Sequence, residues 1–545
     1  MVKKNLSIIV VILISIIAVL DLFNYGIPPT HDGEYHVLRF QQFYKVLSGG
    51  TLYPRWAPDF NNGFGIPLFN YVYPLPNYLA AFFHALGFGF IDAFKLNMAA
   101  ASITGSIFMY LWARKYWGEW SGIVSSVFYT FSPYHFLDIY VRGSVGEVWS
   151  LGLAPGLFWA YLRFFETRKK IYFVLSTILL ALLVLAHNIL ALIFFAFFLA
   201  YAIFLISGLK NRSRDLSSLA TAVICGLGLS SPFWLPAILE TEYVTGLQVF
   251  DPTQHFPALY KLIYSSWGYG FSGTNAPDQM SFQIGIANLT AVFGSIVLLF
   301  FLRNKRTLIF FISSFLVTVF LLTPFSIFIW KNFPLISYVQ FPWRFLSLAI
   351  LLVSLLAGSL VQDSLFKRKN RAQIILAVLL ILMSIGFSVK YAKAPFYHKR
   401  DDNHYFSRPN FTDGTNSPGN AFKTVWLSSV PKKAKEKIEL VAGSGNIEIK
   451  ELKSTSYIFN SYLNQDSKVR INSAYFPGWS AQVDEKKVPV ININGIIHLN
   501  VPKGRHVVSI KLDNTFVQKL SYVYFLISIL LIIYHKSYVL SLKSK

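Results

Sequence analysis

Composition, the recurrence of apolar segments and one late change of texture predict a polytopic α-helical membrane protein. They add an extracytoplasmic antiparallel β-sandwich near the C-terminus and a final transmembrane helix. Of 545 residues, 54% are hydrophobic and only 14% are charged, where soluble chains carry roughly a quarter charged. The formal charge of +23 would suggest nucleic acid in a soluble protein. Here Lys and Arg fall in short runs between apolar segments, which is the positive-inside pattern, and no groove-reading motif accompanies them. Nucleic acid is therefore excluded as a partner. The single cysteine, Cys225, lies in an apolar segment and rules out an internal disulfide or a cysteine-rich metal site.

The N-terminal Lys3-Lys4 precedes an apolar run over 6–20. No small-residue cleavage site follows, so residues 1–22 read as an uncleaved anchor with its N-terminus in the cytoplasm rather than a signal peptide. Residues 23–74 are polar, aromatic and rich in Gly and Pro. Trp56, Phe60, Phe64, Phe69, Tyr71 and Tyr73 interleave with Arg55, Asp59, Asn61 and Asn62, a mixture suited to headgroup depth. They form one long outer loop with one or two interfacial helices, and 37–47 has helical alternation.

Residues 75–390 are the polytopic region. Apolar segments recur near 75–91, 94–112, 120–136, 149–165, 171–186, 189–206, 216–239, 285–302, 307–323, 341–361 and 372–390, and once more at 520–535. Short basic stretches at 114–115, 163–170, 210–214, 303–306, 367–371 and from 536 belong in the cytoplasm. All six fit on one side if 75–91 is re-entrant or interfacial. About twelve spans remain, with both termini inside.

Residues 391–519 differ. Strand-like alternation appears at 447–452 and 507–512, and turn residues stand at Gly443 to Gly445, Pro477-Gly478, Asn494-Gly495 and Lys503-Gly504. This predicts a small antiparallel β-sandwich on the outer side. Asp484-Glu485-Lys486-Lys487 reads as a hairpin turn. The domain carries no catalytic constellation, which leaves it as lid, docking surface or spacer. Residues 520–545 complete the chain as a last span and cytoplasmic tail.

The chemistry concentrates on the outer side. In His31-Asp32-Gly33-Glu34-Tyr35-His36-Val37-Leu38-Arg39, two carboxylates, two imidazoles and a guanidinium stand where the chain leaves the bilayer. Ionisable groups at membrane depth are costly and face a cavity or a partner. Asp32 is the leading candidate base. The bland alternative is a helix start capped by Thr30 or Asp32. Arg142 with Glu147, His187 at a hairpin tip, and Arg344 in Gln340-Phe341-Pro342-Trp343-Arg344 gather on the same face. Arg142 and Arg344 could instead snorkel to headgroups, and His187 could cap its hairpin.

These residues carry a resemblance. His31-Asp32-Gly33-Glu34-Tyr35-His36, Tyr53-Pro54-Arg55-Trp56, Arg142-Gly143 with Glu147, Ala186-His187-Asn188 and Phe341-Pro342-Trp343-Arg344 resemble the polytopic GT-C glycosyltransferases. The chain is closer to the YfhO-type membrane proteins and to the group named after 6-pyruvoyl-tetrahydropterin synthase. Ala474-Tyr475-Phe476-Pro477-Gly478-Trp479 and the stretch 501–506 resemble the YfhO-type outer β domain. Nothing resembles the zinc site of the soluble pterin enzyme, since His31 and His36 are five apart.

The resemblance implies transfer of a sugar from a polyprenyl-phosphate donor to an extracytoplasmic glycan, lipid or protein acceptor, with inversion. Asp32 is then the base that takes the acceptor hydroxyl proton, and Glu34 is second choice or a metal ligand. Arg344, Arg142, Arg39 and Arg55 are the phosphate-binding candidates; His31, His36, His187 and Glu147 complete the substrate site. The resemblance fixes no cofactor. A divalent cation, Mg or Mn, held by Asp32, Glu34 and phosphate is left open. Two rivals stand beside this: a transporter or flippase of lipid-linked sugars, which would show intramembrane carboxylates and paired broken helices, and a non-catalytic scaffold presenting the β domain.

Overall fold

Long apolar runs without internal water partners must satisfy their backbone as helices, and the computed structural model follows that rule. It describes residues 2–208, 212–246, 251–273, 276–366, 371–407 and 420–541. Parts of two expected basic stretches, 210–211 and 367–370, lie outside the described residues, as do the side chains from 535 onward.

The helices run α1 Val2–Val19, α2 Gly33–Ser48, α3 Leu75–Ala85, α4 Phe90–Trp117, α5 Glu119–Thr130, α6 Pro133–Leu137 and α7 Val145–Thr167. Next come α8 Lys170–Ala186, α9 Asn188–Ser207, α10 Arg212–Leu239, α11 Leu259–Ile263, α12 Ile286–Leu298, α13 Arg306–Leu321 and α14 Ile327–Asn332. Last are α15 Pro334–Ser337, α16 Leu346–Ser359, α17 Arg371–Ser388, α18 Asp402–Phe406 and α19 Phe516–Ser541.

Among the described residues, seven helices are long and apolar enough to cross a membrane: Leu6–Phe23, α4, α9, α10, Pro342–Ser359, Arg371–Tyr391 and Phe516–Tyr534. The pair α13 and Pro324–Asn332, bent by 85°, makes an eighth. The expected dozen is reached only by counting α5, α7, α8 and α12. Of these, α8 and α12 are apolar but have 17 and 13 residues, while α5 stops at 12. α3 has 11 residues, about 16 Å of helix, too short for a core of about 30 Å, as its re-entrant or interfacial reading requires.

Helices α4 and α7 approach closely because small residues meet between them. A Cβ on Gly105 would lie 3.2 Å from Gly152 Cα, the packing that membrane helices use where no hydrophobic force drives association. The segment Pro342–Ser359 is wholly buried in the bundle. The basic ends converge. Lys115 pairs with Glu166 at 3.1 Å, Arg163 with Glu166 at 2.9 Å, Arg168 with Asp215, and Arg306 donates to Ser207 Oγ at 2.7 Å. The sequence-predicted basic loops after α4, α7 and α9 and before α13 are thus neighbours.

The β strands are β1 Ile438–Ala442, β2 Gly445–Leu452, β3 Ser456–Leu463, β4 Ser467–Ala474, β5 Trp479–Val483, β6 Lys486–Val488, β7 Ile491–Ile493, β8 Ile496–Val501 and β9 Gly504–Leu512. They form two antiparallel sheets, ordered β1-β4-β8-β7 and β2-β3-β9-β5-β6. Inward residues such as Phe459, Val469, Ile471, Ile497, Leu499, Val508 and Ile510 share one core. The β5–β6 turn places Asp484 and Glu485 at positive φ, and Asn494-Gly495 does the same between β7 and β8, which is the two-residue hairpin geometry.

Trp56, expected among the interfacial rings, belongs instead to this β core. It is 1% exposed and packs on Phe476 and edge-on to Trp479. Ala474 N donates to Phe64 O at 2.7 Å, Lys437 Nζ to Gly63 O at 2.7 Å, and Asn62 Nδ2 to Pro431 O at 2.9 Å. The first outer loop is therefore built into both modules.

Candidate active site

Helix α2 starts after Pro28-Pro29, which cannot supply helical amide donors. Two residues compete to cap it, and the structure divides the work. Thr30 Oγ1 accepts from Gly33 N at 3.1 Å. Asp32 occupies the N-cap position, with φ −115° and ψ −10°, and its side chain makes no capping hydrogen bond. The Asp32 carboxylate stays half-buried and uncommitted to the helix, near enough for its charge to act on Arg39 and Tyr73.

The backbone around Asp32 is held from the other side. His31 N donates to Val141 O at 3.0 Å and Asp32 N to Arg142 O at 2.9 Å. Those acceptors lie in a π-helical turn, Asp138–Arg142, a geometry that recurs at functional sites. It closes at Gly143, whose φ of +63° is left-handed; a Cβ there would lie 2.7 Å from Thr30 Cβ. Only a residue without a side chain lets the two loops meet.

Behind this turn sits a buried ion cluster. Glu147, fully buried, receives both Nη1 and Nη2 of Arg142, the second at 2.8 Å. Arg344 Nε donates to Glu147 Oε1 at 3.2 Å. Arg142 Nη1 also reaches Asp138 Oδ1 at 2.7 Å, and its guanidinium lies 4.6 Å from the Trp343 ring centre. Arg344 adds Val339 O at 3.0 Å and Gln340 Oε1 at 2.6 Å. Burying charges is tolerated only with such pairing, which here leaves Asp138 Oδ2 buried without a hydrogen-bond partner among the described residues.

His187 caps its hairpin and stands beside the ion cluster. Its Nδ1 accepts from Leu190 N at 3.2 Å, capping α9. That fixes the proton on Nε2, which stands 3.7 Å from Glu147 Oε1. Tyr73 lies 4.9 Å from the His187 ring, and burial pushes its phenol above the ordinary range. His36 is 3% exposed between the rings of Phe40 and Phe94. Burial first, then Arg39 and His187, lowers its pKa well below the usual imidazole value. His31 Nε2 donates to Tyr269 O at 2.8 Å, and its ring stacks on Phe271 at 5.3 Å, so the outer loop after α11 covers this corner.

Two expected site residues are placed elsewhere. Glu34 Oε1 accepts from Arg400 Nη1 at 2.5 Å and from Tyr405 OH at 3.1 Å. The segment bearing Arg400 is held by paired bonds between Ile27 and His398. Arg55 lies in a second cluster, where it donates to Asn70 Oδ1 at 2.9 Å, Pro232 O at 3.1 Å and Tyr522 OH at 3.3 Å. Asn70 continues to the buried Glu240 at 2.8 Å. This cluster ties the first outer loop to α10 and α19.

Of the pair expected to share a divalent cation, Glu34 gives its Oε1 to Arg400 and Tyr405. Among the described residues, no group of three or more His, Cys, Asp or Glu side chains could hold a metal ion. Sequence reasoning assigned no site role to Asp138, Tyr73, Arg400 or Tyr405. Asp138 was findable from its spacing four before Arg142.

A family model described as "6-pyruvoyl-tetrahydropterin synthase related domain; membrane protein" matches residues 69–393. An uncharacterized protein of Lactococcus lactis subsp. cremoris (strain MG1363) is 22% identical over 238 residues, which cover 42% of this chain and 39% of that one. Among solved structures, the Archaeoglobus fulgidus oligosaccharyltransferase in its apo form is similar with a TM-score of 0.47 at 14% identity, over 72% of this chain and 56% of that one. Mycobacterial arabinofuranosyltransferase AftD gives 0.48 at 16%, over 72% and 27%. ArnT from Cupriavidus metallidurans, bound to undecaprenyl phosphate, gives 0.43 at 13%, over 69% and 63%. The chain thus spans less than two thirds of each.

Proposed function

The chain belongs to the 6-pyruvoyl-tetrahydropterin synthase related domain family of membrane proteins, and on that premise we propose that it is an integral membrane glycosyltransferase. It moves a sugar from a polyprenyl-phosphate donor to an extracytoplasmic acceptor. The observation that carries this reading is the division of labour at the start of α2. Thr30 supplies the hydroxyl acceptor to Gly33 N, and the Asp32 carboxylate is left beside Arg39 and Tyr73.

Asp32 takes the proton of the acceptor hydroxyl as that oxygen bonds to the anomeric carbon. The bond from that carbon to the donor phosphate breaks, and the lipid phosphate leaves with the electron pair, inverting the centre. Arg39 and Arg344 are the phosphate partners. Arg142 is withdrawn from that role, since both its Nη1 and Nη2 are spent on Asp138 and Glu147, whereas Arg344 gives Glu147 its Nε and spends Nη1 on Val339 O and Gln340 Oε1, leaving Nη2 for a ligand. Glu147 holds Arg142 and Arg344 together. His36, kept neutral, and His31 shape the pocket.

Convergence of the basic helix ends supports a cytoplasmic face there. The β domain, seated on the loop bearing Asp32, is then extracytoplasmic, with both termini inside.

The test is transfer of labelled sugar from a polyprenyl-phosphate-sugar pool by purified protein in lipid. Asp32→Asn is expected to lower transfer by about 100-fold or more, the scale of a lost general base. Glu34→Gln should retain most of it, because that carboxylate serves Arg400 and Tyr405. Full activity of Asp32→Asn removes the base assignment. Donor binding without transfer by the wild type favours the transporter reading.

A further inference from the structure

A cavity of about 460 Å³ opens beside the Asp32 corner, outside both clusters described above. Its walls are the chain leaving α1, the first turns of α4 and the segment entering α18, including Tyr25, Asp92, Lys95, Arg400, Asp401 and Asp402. That volume lies within the roughly 300–1,000 Å³ of small-molecule sites.

The charges in its walls define what it can accept. Both cations are already committed. Lys95, with a side chain 4% exposed, donates to Asn24 O at 2.8 Å and stands 3.7 Å from Asp92. Arg400 serves Glu34. Asp402 is consumed in capping α4, accepting from Phe90 N at 2.7 Å and Ile91 N at 3.1 Å. The opening therefore presents the carboxylate of Asp92, 59% exposed beside Lys95, the exposed Asp401, whose Oδ1 caps α18 by accepting from His404 N at 3.1 Å, and the ring of Tyr25, 72% exposed.

A phosphate or carboxylate would meet exposed carboxylates and cations already neutralised. A hydrocarbon chain would find Phe23 and Ile91 in the wall but would also desolvate five charged side chains, Asp92, Lys95, Arg400, Asp401 and Asp402. Vicinal hydroxyls suit the site: carboxylates accept from them in charge-assisted bonds, and an aromatic face covers the C–H side of a sugar ring.

We infer that this cavity receives a polyhydroxylated group, a neutral or amino sugar, and that it is the acceptor subsite of the transfer reaction; the acceptor assignment rests on the glycosyltransferase reading above. Two features join it to Asp32 and to the membrane. Arg400 is at once a wall of the cavity and the partner of Glu34, on the first turn of the helix that Asp32 opens. Its other walls lie at the ends of α1 and α4, both long enough to cross a bilayer, which puts the mouth at the membrane surface, where a glycolipid headgroup arrives.

The experiment measures retention of labelled dihexosyl-diacylglycerol by the full chain in phosphatidylcholine nanodiscs. Wild type, Asp32→Asn, the double variant Asp92→Asn/Asp401→Asn, and Tyr25→Ala are compared, each checked for an unchanged thermal midpoint. Wild type and Asp32→Asn should retain the probe equally. The double variant should retain it at least tenfold more weakly, and Tyr25→Ala should weaken it in the same direction. Free maltose competing with the probe identifies the headgroup alone as ligand. Competition only by unlabelled glycolipid identifies a lipid-anchored source.

Equal retention by wild type and the double variant overturns the inference. So does no retention by wild type, or displacement of the probe by phosphatidylglycerol. The two readings fail separately. Undiminished sugar transfer in the double variant removes the subsite and leaves the enzyme. Probe retention without any transfer by wild type leaves a carbohydrate site and removes the enzyme.

Discussion

At the scale of single residues, the site depends on which polar atoms are already used. Asp32 and Glu34 look equivalent in sequence, two acids on one helix start, yet one is held by Arg400 and Tyr405 and the other is not. That difference was not legible, because the partner of Glu34 lies 366 residues away. The competition between Thr30 and Asp32 for the cap was legible as a pair of alternatives; only the backbone angles decided it. His36 gives a pH prediction. Its imidazole is held neutral by burial, so the unfolded chain binds a proton first, near the ordinary histidine value of about 6.5. Its contribution is intact above that pH and is lost as pH falls below it, by up to about 1.4 kcal/mol per pH unit. The thermal midpoint in nanodiscs should therefore drop between pH 7 and pH 5. His36→Gln should lessen that drop, the remainder including His187, which burial also holds below its ordinary value, and an unchanged slope would show that His36 does not titrate with unfolding.

At the scale of elements, two loops that carry no regular hydrogen-bond ladder are pinned to each other. The turn Asp138–Arg142 supplies two carbonyls to the amides of His31 and Asp32, and Gly143 lets them approach. Gly143→Ala meets both a left-handed φ, strained for any residue with a Cβ, and the side chain of Thr30. The expected result is a loss of transfer of about tenfold or more with the protein still monodisperse, because the Asp32 loop must shift while the bundle need not. Wild-type transfer by this variant would show that the spacing of the two loops is immaterial. The strands and their hairpins were legible from period-two alternation and from Asp484-Glu485 and Asn494-Gly495. The bend of 85° after α13 was not: apolarity continues through Pro324, and a run of hydrophobic residues does not encode the direction of its axis. Arg55 was grouped with Asp32 because both belong to the outer loop. Membership of one loop is readable from sequence, but position around the bundle is not.

At the scale of the whole molecule, the chain behaves as one body with two cores that share a loop. Trp56 leaves the membrane module and fills the β-sandwich, while α2, earlier in the same loop, carries Asp32. Trp56→Ala removes a fully buried indole, at a cost of about 3–5 kcal/mol. It should release the β domain, seen as new protease cleavage between 391 and 437, with the helical bundle intact by circular dichroism. Cleavage no faster than in wild type would mean that the other contacts suffice to hold it. The sharing of one loop also has a mechanical side. Anything that tugs on the sandwich pulls on a beam whose far end is the start of α2, so tension on the β domain would be transmitted to the geometry around Asp32.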